Sequence, residues 1–196
     1  MRPNPAARPA YIAAFTEIAN RIARPLSGLP ARTLPIGMYV TGGAALHFYT
    51  GERTSKDIDA SFSHRIVLPE DLEVAYRDAD GAARLLYFDR QYNDTFALMH
   101  PDAREDSVAL VLEGVDRKIL DVRVLSALDL AVSKIGRLSS QDREDIISLA
   151  RHGLVRSSPL RVRAEEAASS YVGNLPSLKS SIDLACRVVK DAERPR

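Results

Sequence analysis

The chain has 196 residues, 45% of them hydrophobic, with 27 Lys and Arg against 26 Asp and Glu. That length can bury a core in one domain with an appendage, and the balanced charge excludes a general basic field for nucleic acid, leaving only a local patch. The single cysteine, Cys186, cannot form a disulfide within the chain, and no Cys/His spacing suggests zinc, which suits a reducing cytoplasm. Thr16, Glu17 and Asn20 interrupt the first apolar stretch, unlike a signal peptide, and no run approaches the roughly 18 apolar residues of a membrane span.

From Tyr11 to Ile22, apolar residues recur at three- and four-residue steps (Ile12, Phe15, Ile18, Ala19, Ile22), the stripe of an amphipathic helix ending near Pro25. After a Gly/Pro loop, Ile36 to Val40 reads as a short buried strand. Gly42-Gly43 breaks it, Ala44 to Tyr49 predicts a short helix, and Gly51 ends that helix. Lys56 to Phe62 then alternates charged and apolar residues, the period of a strand, which puts Asp57 and Asp59 on one face. Leu72 to Tyr76, Ala83 to Phe88, Val108 to Leu112 and Lys118 to Val124 predict further strands, an antiparallel extension of the same sheet. From Ser126 the pattern turns helical: Ser126/Asp129 and Ser139/Asp142 are spaced as capping boxes, Gly153 closes a helix, and Pro159 and Pro176 begin two more. Tyr87, Phe88, Tyr92 and Phe96 are expected to pack in the core or in loops rather than to form a base-stacking platform.

Two aspartates on one strand face repel each other and disfavour the sheet, so something should compensate. A hard divalent cation does so: Mg²⁺ prefers carboxylate oxygens and bridges them to substrate phosphates. The glycine turn one short helix upstream offers backbone N–H groups and a helix N-terminus to phosphate. The competing reading is a solvated strand face with incidental acids.

Tyr39-Val40-Thr41-Gly42-Gly43-Ala44-Ala45-Leu46 followed by Arg53-Thr54-Ser55-Lys56-Asp57-Ile58-Asp59 resembles the signature of the polymerase-β-type nucleotidyltransferase superfamily. The resemblance implies a third metal carboxylate on a later strand, for which Asp121, in Ile119-Leu120-Asp121-Val122-Arg123-Val124, stands in the right place; the alternative pairs Asp121 with Arg123. Asp129-Leu130-Ala131-Val132-Ser133-Lys134-Ile135-Gly136-Arg137, then Gln141-Asp142-Arg143-Glu144-Asp145-Ile146, is similar to motifs of the abortive-infection nucleotidyltransferase toxins of toxin–antitoxin systems. Lys134 and Arg137 share a helical face, where both cations could meet a triphosphate; the alternative is a solvated face ion-paired to Asp142 or Asp145. The chain has Gly-Gly where these toxins commonly have Gly-Ser, and Ser55 or Thr54 is the candidate replacement hydroxyl.

The resulting expectation is an α/β (α+β) nucleotidyltransferase fold, a mixed sheet flanked by helices over residues 1–125, with a small C-terminal helical part over 126–196. The resemblance implies metal-dependent transfer of a nucleoside monophosphate from a nucleoside triphosphate to an acceptor hydroxyl, with tRNA as the toxins' acceptor and an antitoxin as a partner. Asp57, Asp59 and Asp121 would hold Mg²⁺, with Lys134 as a catalytic cation. Gly42, Gly43, Ser55, Lys134, Arg137, Asp142 and Asp145 would bind substrate. The alternatives are an inactive nucleotidyltransferase-like binding protein and a small-molecule, aminoglycoside-type enzyme. The protein is expected in the cytoplasm and off the membrane.

Overall fold

The computed structural model describes residues 1–92 and 97–193, so Phe96 lies outside the described residues. It is a mixed α+β structure, with six α-helices and two mixed sheets among those residues. The chain divides into two compact units, Met1–Tyr92 with Ser107–Val124, and Asn93–Asp106 with Leu125–Arg196. Among the described residues no helix is long and apolar enough to cross a membrane.

In the first unit, α1 (Pro9–Leu26) starts with a proline at its first turn, where no N–H is needed, and runs through Pro25 to its end. It buries Tyr11, Phe15, Ile18 and Ile22, the predicted stripe. Strand β1 (Ile36–Val40) leads into α2 (Gly42–Thr50), whose C-cap Gly51 has φ +71°, the left-handed backbone that favours glycine. The predicted strand from Lys56 to Phe62 is broken at Asp59 into β2 (Asp57–Ile58) and β3 (Ala60–Phe62), and the two pieces join different sheets. The remaining strands are β4 (Glu73–Arg77), β5 (Ala83–Phe88), β6 (Val108–Ala109) and β7 (Leu120–Val124).

One sheet has the order β3-β1-β7-β6, with β7 parallel to β1; the other has the order β2-β5-β4, with β2 parallel to β5. The expected antiparallel extension of one sheet is therefore corrected. Among the described residues from Leu72 to Val124, the antiparallel pairs are the β4–β5 hairpin and the short β6–β7 pair, and the former belongs to a separate sheet. The reason lies at Asp59. The strand pairs with β5 up to Ile58, Asp59 turns its carbonyl to the N–H of Thr41, and the chain continues along β1. Helix α1 packs on β4 and β5, and Leu86 and Phe88 are buried.

The second unit is helical: α3 (Ala127–Ile135), α4 (Ser140–Arg151), α5 (Ser157–Ala168) and α6 (Leu175–Ala192). Ser139 and Asp142 form the reciprocal capping box that their spacing predicted, and Gly153 (φ +70°) follows α4. Ser126 caps α3 through Asp129 N–H, but the Asp129 carboxylate accepts the Ser126 hydroxyl and the Arg163 guanidinium rather than closing a second box. Leu130, Val132, Ile146, Leu149, Leu160, Ile182 and Val189 supply this unit's core.

Candidate functional site

The apolar strand β1 is buried at four of five positions, which fixes where its C-terminal end delivers Thr41 and the glycine turn. Gly42 has φ +62°, and a Cβ there would overlap Asp59 Oδ2 and stand 3.0 Å from its Cγ. The turn is thus built around the Asp59 carboxylate, which lies against the first residue of α2, where the positive end of the helix dipole favours an anion. The Thr41 N–H donates to the Asp59 carbonyl at 2.9 Å and locks this approach.

Gly43 is equally constrained. A Cβ there would meet Ser55 Cβ at 2.7 Å, Arg53 Nη1 at 3.1 Å and Ser55 Oγ at 3.2 Å. A side chain at Gly43 would therefore strain the fold as well as obstruct an approaching ligand. Ser55 stands beside the glycine turn, donates its hydroxyl to the Asp57 carbonyl at 2.6 Å, and lies 3.3 Å from the hydroxyl of buried Tyr11. Burial, with Asp57 and Asp59 nearby, pushes the Tyr11 phenol well above its usual range and keeps it neutral.

Asp57 and Asp59 are half-buried and share a strand face, because Ile58 and Ala60 between and after them point inward. The structure thereby brings Gly42, Gly43, Ser55, Asp57 and Asp59 together. It does not bring Asp121 to them. Asp121 is in register with Gly37, whereas Asp59 adjoins Thr41, a separation of four residues or roughly 13 Å along the strands. Its carboxylate is held instead by Arg117 and Arg123, each at 3.0 Å, which is the pairing the alternative reading named and corrects the metal role. The carboxylate that the sequence reading passed over is Asp89. Its N–H donates to the Ile58 carbonyl at 3.1 Å, so it continues the parallel β2–β5 register one place beyond Phe88 and stands beside Asp59. Its only sequence signal was its place at the end of an apolar strand. Asp89 Oδ1 accepts the Gln91 N–H, and no three His, Cys, Asp or Glu among the described residues close on one point as they stand.

The donor set nevertheless suits Mg²⁺, which is commonly held by one or two carboxylates with substrate phosphates and water completing its shell. A side chain at position 42 would collide with the carboxylate, so Asp59 is positioned at the anion-favouring end of α2 rather than placed there incidentally.

In the second unit the predicted cations and acids find each other. Lys134, only 7% exposed, donates to Asp145 at 2.6 Å and stands 3.9 Å from Asp142. Arg137 grips Asp142 with two hydrogen bonds of 2.7 and 2.8 Å. Burial pushes the Asp142 carboxyl up, but hydrogen bonds from Arg137 and from the hydroxyl and N–H of Ser139 outweigh it, and its pKa falls to about 2. A carboxyl depressed in the fold stabilises it above the ordinary value and loses that contribution as pH falls through the depressed one. Between about pH 4 and pH 2 wild type should lose on the order of 2 kcal/mol through this group, an upper figure because Arg137 is largely exposed to screening solvent. Denaturant melts at stepped pH, compared with Asp142→Asn, measure it: the variant starts less stable and its acid slope is shallower, and parallel slopes would contradict the assignment.

His47 is fully buried, accepts the Arg8 N–H through Nε2 at 2.9 Å and packs edge-on to Tyr11 at 4.8 Å. Burial lowers its pKa and keeps it neutral, a structural role.

No curated protein and no solved structure matches the chain. A family model does: that of a nucleotidyltransferase of unknown function (DUF6036), over residues 17–181. The matched span holds the glycine turn, the acidic pair and the Lys134–Asp145 helices, and the chain belongs to this nucleotidyltransferase family.

Proposed function

We propose that this chain transfers a nucleoside monophosphate from a nucleoside triphosphate to an acceptor hydroxyl, with Mg²⁺ held by Asp57 and Asp59. The observation that carries the reading is the glycine turn folded onto Asp59, because it puts an anion-attracting helix end and a metal-ligating carboxylate at one place. Bound Mg²⁺ would supply charge neutralisation for the attacking and leaving oxygens. The chain's own residues do the rest. The turn at Gly42-Gly43 receives the β- and γ-phosphates at the start of α2. Ser55, beside the turn, donates its hydroxyl to the Asp57 carbonyl and so holds the acidic strand against the phosphate-binding residues. Asp57 and Asp59 orient the α-phosphate for attack; the acceptor oxygen bonds to the α-phosphorus, the bond to the bridging oxygen breaks, pyrophosphate leaves with the electron pair, and the hydroxyl proton passes to solvent. Asp89, adjacent to Asp59, is the strand neighbour available to a second metal. Lys134, Arg137, Asp142 and Asp145 enter as residues that brace α3 on α4.

The test incubates purified protein and Mg²⁺ with each α-³²P-labelled triphosphate and, in turn, total tRNA and a panel of aminoglycosides. The tRNA arm follows from the likeness to abortive-infection toxins, and an antitoxin would be a partner only if that arm labels. Label on an acceptor, dependent on Mg²⁺, supports the reading; absence of transfer with every pair of donor and acceptor, although triphosphate binds, favours a binding protein that has kept the fold without the chemistry.

A further inference from the structure

We infer that Tyr87, flanked by Leu85, is the surface on which the base of the nucleoside triphosphate stacks; the inference rests on the proposed nucleotidyl transfer and names what selects its donor. Tyr87 was expected in the core or in loop packing, but it is 39% exposed, and Leu85 is 46% exposed. Alternation along β5 sends Leu86 and Phe88 inward, leaving Leu85 and Tyr87 on the opposite face. On that face Tyr87 is the register partner of Asp57 across the parallel β2–β5 pair, so ring and carboxylate rise from neighbouring strands about 5 Å apart. On the other side of Tyr87 the hairpin places Glu73, and beside Leu85 it places only Ala75, so no bulky side chain from β4 caps the strip.

The path of a nucleotide fixes the occupant. Asp59 abuts the glycine turn, Asp57 lies two residues back on the same face, and Tyr87 stands next to Asp57. A triphosphate whose outer phosphates meet the turn and whose α-phosphate meets the aspartates continues into sugar and base on the β5 side. The next feature there is an exposed aromatic face beside an aliphatic one, which suits the flat, neutral π-face of a base and offers nothing to a further phosphate. Stacking on one tyrosine discriminates weakly between bases, so a donor preference, where present, would be graded rather than absolute.

Calorimetric titration tests it with Mg²⁺ and, as separate probes, the four ribonucleoside triphosphates and inorganic tripolyphosphate, on wild type, Tyr87→Ala and Tyr87→Phe. Because the side chain is only partly covered, Tyr87→Phe should melt like wild type and Tyr87→Ala should stay folded with at most a modest loss of stability. Tyr87→Ala should weaken triphosphate binding by about tenfold, within the range for a lost base–aromatic stack, leave tripolyphosphate unchanged, and be rescued to within about twofold by Tyr87→Phe. Nucleoside triphosphate binding by wild type that Tyr87→Ala leaves untouched overturns the stacking surface and spares the nucleotidyl-transfer reading, as does a loss confined to use of the acceptor. Failure of wild type to bind either probe takes both readings down.

Discussion

Asp59→Asn is expected to lower nucleotide transfer by at least about a hundredfold while costing the fold no more than about 2 kcal/mol, the upper range for a partly buried carboxylate at a helix N-terminus. Asparagine keeps the shape that fills the space beside Gly42, so the turn and the Thr41–Asp59 backbone hydrogen bond persist. What it removes is one negative charge at the start of α2, and with it a hard oxygen ligand whose contribution to charge stabilisation amounts to several kcal/mol. Asp57→Asn should behave alike. The informative contrast is Asp121→Asn. That carboxylate pairs with Arg117 and Arg123, both partly exposed, so its loss should cost at most about 1 kcal/mol and leave transfer within about twofold of wild type. Steady-state rates and urea melts on the three variants give the answer: near-wild-type transfer by Asp59→Asn would end the catalytic assignment, and a collapse of transfer in Asp121→Asn would restore the third carboxylate that the strand register argues against.

The contrast between these aspartates also shows where sequence stops being legible. Asp57 and Asp59 could be read because period-two alternation puts them on one face whatever the rest of the fold does, and Gly42-Gly43 because a strand ending in two glycines must turn. Both are local facts. Asp121 failed for a non-local reason: its face was right, but its position along the strand depends on the β1–β7 register, and pairing with Gly37 instead of Thr41 moves it roughly 13 Å. The break at Asp59 was hidden for the same reason, since an unbroken alternation cannot announce that its two halves pair with different sheets. Tyr87 was misplaced because an aromatic residue in an apolar strand resembles core until the burial of Leu86 and Phe88 shows which face is covered. The helical half was the more legible one: caps and breakers at Ser139, Gly153, Pro159 and Pro176 act within a turn or two of the chain, and α4, α5 and α6 begin or end where those residues say.

Lys134→Ala should destabilise the protein by about 3 to 5 kcal/mol, the range for breaking a buried ion pair from one side. The sequence alternative placed this lysine on a solvated face, where the loss would be at most about 1 kcal/mol. Burial changes the magnitude. The Lys134 side chain is 7% exposed and those of Asp145 and Asp142 are 2%, so removing the ammonium takes the 2.6 Å charged contact from Asp145, which keeps the Gln141 amide 3.1 Å from Oδ1, and leaves Asp142 with Arg137 and Ser139. The lost contact falls chiefly on Asp145, the nearer of the two carboxylates, and this makes the origin of the loss testable. Asp145→Leu alone should also be damaging, because it removes the 2.6 Å partner of the ammonium and leaves Asp142, 3.9 Å away, as its remaining carboxylate. Lys134→Met with Asp145→Leu should recover most of the loss, since two apolar side chains of similar volume remove both desolvation penalties together. Urea unfolding of the single and double variants measures that coupling, and additive losses would show that the pair is not what Lys134 does. Transfer rates corrected for the folded fraction complete the separation. A bracing lysine gives a double variant that is stable and still transfers nucleotide, whereas a lysine that meets the triphosphate gives one that is stable and slowed about tenfold or more, because restored packing cannot replace a cation on a phosphate.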